Sequence, residues 1–65
     1  MSEASDPLLE ALRKKIRTEM NEITDHIAVG GCNTFEDYKF NVGKINGLAV
    51  AERELLDIDQ KVASE

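Results

Sequence analysis

The chain has 65 residues, 42% hydrophobic and 5% aromatic, with 8 Lys and Arg against 13 Asp and Glu for a net charge of −5. One domain this short holds a marginal core unless a disulfide, a metal or association supports it, and a single cysteine, Cys32, excludes an intrachain disulfide. The acidity disfavours nonspecific attachment to nucleic acid or anionic membranes, and the longest apolar run, around "GLAVA", is far short of the ~20 residues of a bilayer span.

The polar, acidic start "MSEASDPLLE" does not resemble an export signal, so a soluble protein of a reducing, cytosolic compartment is expected. A single domain is expected over 1–65, with 1–5 and 63–65 frayed. Asp6-Pro7 reads as a helix start, because Asp6 can accept from a free backbone N–H and Pro7 needs no donor at the first helical position. Leu9, Leu12, Ile16, Met20, Ile23 and Ile27 follow at helical spacing, which predicts a first helix over about 7–29. Glu10 with Lys14 and Glu22 with His26 are spaced for ion pairs on its outer side. Arg13, Lys14 and Arg17 of "RKKIR" read as a solvated outer face, with a phosphate-contacting patch as the alternative.

"VGGCN" ends that helix, since Gly30 or Gly31 can take the left-handed conformation at no Cβ cost. Thr34 followed by Asp37 is a near capping box, and Glu36 adds a favourable charge in the first turn. A second helix over about 35–62 carries Phe35, Tyr38, Val42, Ile45, Leu48, Ala49, Leu55, Leu56, Ile58 and Val62 on a wide arc, with Phe40 and Val50 outside it. A short connection between two amphipathic helices predicts an all-α fold, an antiparallel two-helix hairpin. Setting Ile27 beside Phe35 puts Ile23 near Tyr38, Met20 near Val42, Ile16 near Ile45, Leu12 near Ala49 and Leu9 near Arg53. The first helix then runs out, and Leu56, Ile58 and Val62 lie beyond its N-terminus. Each such side chain is worth about 1.5–3 kcal/mol if buried, so the trio predicts a partner, most simply a second copy.

Little in the chain promises chemistry. His26 and Cys32 are single, and the paired ligand spacings of a structural zinc site are absent. The two can approach across the turn as a nucleophile pair, but two helices offer no cleft and no oxyanion donors. No enzyme, cofactor or metal site is expected. "GGCNTFEDYK" lacks the phosphate-loop spacing, and Glu36 and Asp37 would repel an anion there. Glu52, Glu54, Asp57 and Asp59 read as a solvated or interface-lining acidic face rather than a cation site. Arg53 sits among apolar neighbours, where its guanidinium can pair with a carboxylate of Glu10 or of a partner chain.

Glycine costs about 1 kcal/mol against alanine in a helix interior, so the pair in "GKINGLAVA" needs a reason. Gly43, Gly47 and Ala51 recur every four residues as a ridge of small side chains, over which helices can approach closely. Either the ridge is an intermolecular face or, with a shifted register, it receives the first helix. The candidate protein interface comprises Gly43, Gly47, Ala51, Val50, Phe40, Arg53, Leu56, Ile58 and Val62.

The run "GGCNTFEDYKFNVGKINGLAVAERELLDID" resembles short helical-hairpin proteins encoded near head and portal genes of tailed bacteriophages. The resemblance rests on Gly30, Gly31, Phe35, Tyr38, Gly43, Ile45, Gly47, Leu48, Ala49, Ala51, Glu52 and Arg53, covers about residues 8 to 60 and is all packing. It implies a non-enzymatic structural or assembly protein of the virion, present in the host cytoplasm during assembly. Its expected partners are its own copies and a larger protein of the head, portal or neck, with no membrane and no nucleic acid. The alternative is a small cytosolic regulator that binds nucleic acid or a host protein through Arg13, Lys14, Lys15 and Arg17.

Overall fold

The computed structural model describes residues 6–64 and holds two helices, α1 (Pro7–Ala28) and α2 (Phe35–Ser64), packed against each other, with no strand among the described residues. The fraying expected at 1–5 and at Glu65 lies outside the described residues, while α2 continues past the expected end at 62 to Ser64. Among the described residues, no helix is long and apolar enough to cross a membrane.

Local chemistry sets the boundaries. The Leu8 N–H donates to the Asp6 carboxylate at 2.7 Å, and Pro7 opens α1 without an orphaned donor. At the other end Gly30 takes φ +79°, its N–H donates to the Ile27 carbonyl at 3.0 Å, and the Gly31 N–H donates to the His26 carbonyl at 2.8 Å. This pair of bonds satisfies the last carbonyls of α1 and turns the chain away. Thr34 Oγ1 accepts from the Asp37 N–H at 3.0 Å, while Asp37 accepts from the Asn33 N–H at 3.3 Å, so the near capping box forms one residue wide of the usual reciprocal pair.

Both helices face each other with positions stepping by four and three residues, the 3.5 repeat of paired helices. On α1 these are Leu9, Arg13, Ile16, Met20, Ile23 and Ile27; on α2 they are Asn41, Ile45, Leu48, Glu52, Leu55 and Asp59, all buried or half-buried. The most buried members are Ile23 and Leu55 with two polar residues, Asn41 and Glu52, each 7–8% exposed. Leu12, expected inward, is exposed, and Arg13 takes its place beside the seam.

The register also differs from the sequence expectation. Asp6 donates to the Asp59 carboxylate at 3.4 Å and Arg13 lies 3.6 Å from Glu52, where the expected pairing puts 56 and 49. Thus α1 reaches about one turn further along α2 than Leu9 beside Arg53 allows. The cause lies at the connection: the first turn of α2 projects past Ile27, and Phe35 stacks on Tyr38 with ring centroids 6.2 Å apart, staying exposed beneath the Lys39 amine. Leu55 is therefore covered, and Leu56 and Ile58 are exposed by the direction they face rather than by an early end of α1. The molecule measures 47 × 15 × 15 Å with a radius of gyration of 14.7 Å, against about 11 Å for a compact chain of this length.

Candidate functional site

The strongest polar feature is an ion cluster on the seam. Glu52, its side chain only 11% exposed, accepts two hydrogen bonds from one Arg17 nitrogen, at 2.7 and 2.9 Å to its two oxygens. Arg13 Nε, shut off from water, lies 3.6 Å from the same carboxylate, too far for a hydrogen bond. Two guanidinium groups thus neutralise one buried carboxylate, which a lone buried charge would require. Arg13 and Arg17, expected on a solvated outer face, instead turn to Glu52 while staying 43% and 52% exposed, and of the two readings of the acidic residues, solvated or interface-lining, Glu52 is buried at the helix–helix seam. Half of the proposed basic patch is engaged, leaving Lys14 and Lys15 exposed. Arg53 makes no ion pair with Glu10 or any other carboxylate among the described residues; its neighbour Glu52 occupies the position that faces α1. The 4-3 spacing from Ile45, Leu48 and Leu55 would have found Asn41, Glu52 and Asp59, but an apolar-only inventory passes over them. Neither Glu10 with Lys14 nor Glu22 with His26 comes within ion-pair distance, whereas Asp57 and Lys61 do, at 3.8 Å.

All nine candidate interface residues are exposed: Phe40, Gly43, Gly47, Val50, Ala51, Arg53, Leu56, Ile58 and Val62. They do not form a single face. At about 100° per residue, Phe40, Gly47, Ala51, Ile58 and Val62 fall on one flank of α2 beside the seam. Leu56 lies on the opposite flank, and Gly43, Val50 and Arg53 lie towards the back. A Cβ built at Gly43 or Gly47 meets nothing within 4 Å. The ridge therefore does not receive α1, and the glycines leave open surface. Phe40 is 65% exposed with the Lys44 amine 5.2 Å over its ring, and Ile58 and Val62 are each 52% exposed. On α1, Leu8 and Leu12 are exposed and line a second apolar groove with Leu9, Ala11 and the Lys15 stem.

A third cluster forms at the connection. His26 from the last turn of α1, Cys32 from the connection and Asp37 from the first turn of α2 place one donor atom each within 4.8 Å of one another. The His26 ring lies over Gly31, where a Cβ would collide with its Cε1 and Nδ1 atoms. Asn41 Nδ2 donates to the Asp37 carbonyl at 2.9 Å and to its carboxylate at 3.3 Å, and stands 3.7 Å from the Cys32 sulfur. The proximity of His26 and Cys32 is legible from the helix ends; the inclusion of Asp37 depends on where α2 starts.

No protein-family model matches the chain, and no curated protein and no solved structure is significantly similar to it.

Proposed function

We propose that the chain is a non-enzymatic assembly protein: an antiparallel helical hairpin that associates with its own copies through the outer flank of α2. In this reading it is a structural component of a tailed-phage particle, docked in multiple copies on a larger protein of the head or the head–tail junction. The observation that carries the self-association is the imbalance of burial: among the described residues two hydrophobic side chains are buried, whereas Leu8, Leu12, Phe40, Val50, Ile58 and Val62 are among those left in water. The total surface of 5039 Å² exceeds the roughly 4100 Å² expected of a compact monomer of this mass. The phage setting is supported by the sequence resemblance over about residues 8 to 60.

A second copy fits the outer flank in a definite way. A two-fold axis near position 49 sets Phe40 against the partner's Ile58, Lys44 against the partner's Glu54, and Gly47 against the partner's Ala51. Bulky side chains then meet at both ends, opposite charges pair between them, and the small residues let the helices approach closely at the centre. Such a surface is self-complementary, as a two-fold interface requires. The rival reading through the basic cluster loses two of its four cations to Glu52.

Native mass spectrometry and light scattering test the association. A dimer or higher assembly is expected, and Gly47→Leu is expected to abolish it while circular dichroism retains the helical signal. A monomer at all accessible concentrations overturns the self-association. Failure to detect the chain by mass spectrometry of purified particles overturns the virion setting.

A further inference from the structure

We infer that His26, Cys32 and Asp37 form a zinc-binding clamp that ties the C-terminus of α1 to the N-terminus of α2. The inference stands on the turn alone and is independent of the assembly reading. The sequence expectation of no metal site rested on counting four ligands in paired short spacings; the fold adds a carboxylate from α2 to the two donors already visible.

The donor set is the first argument. An imidazole nitrogen, a sulfur and a carboxylate oxygen lie within 4.8 Å of one another, and ligands around a tetrahedral zinc ion, at bond lengths of roughly 2.0–2.3 Å, stand roughly 3.3–3.6 Å apart. Closing that difference takes side-chain adjustments of about an ångström. Thiolate and carboxylate neutralise a dication, and this mixture of soft sulfur with nitrogen and oxygen suits Zn²⁺ better than the oxygen-seeking Mg²⁺ or Ca²⁺. Three protein ligands leave the fourth position to water.

The surroundings of the donors are the second argument. Asn41, 7% exposed, directs one amide nitrogen at both the Cys32 sulfur and the Asp37 carboxylate, the outer contacts that orient metal ligands and hold thiolate charge. The Asn33 N–H donates to the other Asp37 oxygen at 3.3 Å, and a carboxylate retains lone pairs beyond these two bonds. Glycine at 31 is what gives the His26 ring its place over the turn. Asn41 thus acts as a positioning residue, and its burial on the seam has a purpose.

Titrating the reduced, full-length chain with Co²⁺ tests the clamp. We expect one ion per chain, a thiolate-to-cobalt charge-transfer band with four-coordinate visible bands, and loss of both on adding Zn²⁺. Cys32→Ser should remove the charge-transfer band, and His26→Ala should weaken Co²⁺ binding at least tenfold. Asn41→Ala should keep the band and weaken binding about ten- to a hundredfold. One equivalent of Zn²⁺ should raise the melting temperature of the native chain and leave that of a Cys32→Ser, His26→Ala double variant unchanged. No charge-transfer band at a tenfold excess of Co²⁺ on the native chain, or Co²⁺ affinity unchanged by His26→Ala, overturns the proposal. The native-chain spectrum decides even where a variant fails to fold.

Discussion

Two stripes run side by side along α2, one residue apart, and the buried one is no more apolar than the exposed one. The inner stripe, Asn41, Ile45, Leu48, Glu52, Leu55 and Asp59, is polar at three of its six positions; the outer one, Phe40, Lys44, Gly47, Ala51, Glu54 and Ile58, is charged at two. A helix that hides carboxylates and shows apolar side chains has its packing decided by more than hydrophobic area. At the seam, Glu52 is held by Arg17 and Arg13, which stand one turn apart on α1, so a slip of one turn would leave it one cation and a slip of two turns none, at a cost of several kcal/mol. The ion cluster is therefore a register device, while Phe40, Ile58 and Val62 on the outer flank remain available for burial.

The contrast breaks first where the core is thinnest. Leu55→Ala should destabilise the fold by about 2–5 kcal/mol, measured by urea denaturation, because Leu55 is one of two buried hydrophobic residues among those described. A loss below 1 kcal/mol would mean that the seam does not carry the fold. Ile58→Asp should leave helicity intact yet cost association at least tenfold, about 1.4 kcal/mol; equal sedimentation of variant and native chain would remove the outer stripe from the interface.

The ion cluster is sharpened by an unequal pair. Arg17→Met leaves a buried carboxylate with a single contact at 3.6 Å and should cost about 1–3 kcal/mol. Glu52→Leu replaces that carboxylate with an apolar side chain and frees two arginines that are 43% and 52% exposed, so it should be close to neutral. Equal losses in the two variants would refute the register role. The smallest effect belongs to Gly43→Ala: with nothing within 4 Å of the added Cβ, it should stabilise the helix by about 0.5–1 kcal/mol, read from the denaturation midpoint. Destabilisation would show that the back of α2 is not open.

Much of this architecture is legible from local chemistry. Asp6, Pro7, Gly30 and Thr34 end or start helices through bonds that neighbours in sequence can make. The exposure of Phe40 is legible too, since spacing puts it outside the apolar arc; Ile58 and Val62 read as part of that arc, and their exposure is expected for another reason, an early end of α1. Arg13 and Arg17 are harder: a basic run reads as surface unless a buried carboxylate is known to face it. Glu52 is misread for the same reason, and Arg53 is assigned the role that its neighbour holds.

By itself, then, the sequence determined two helices, their boundaries, the glycine turn and an excess of apolar surface, because caps, periodicity and conformational cost act within a few residues of each other. Only the tertiary structure decided the register, the inward turn of the arginines onto Glu52 and the meeting of His26, Cys32 and Asp37. Each of these joins side chains through the way the connection delivers α2, and a shift of one helical turn, about 5.4 Å, would have assembled different partners from the same residues.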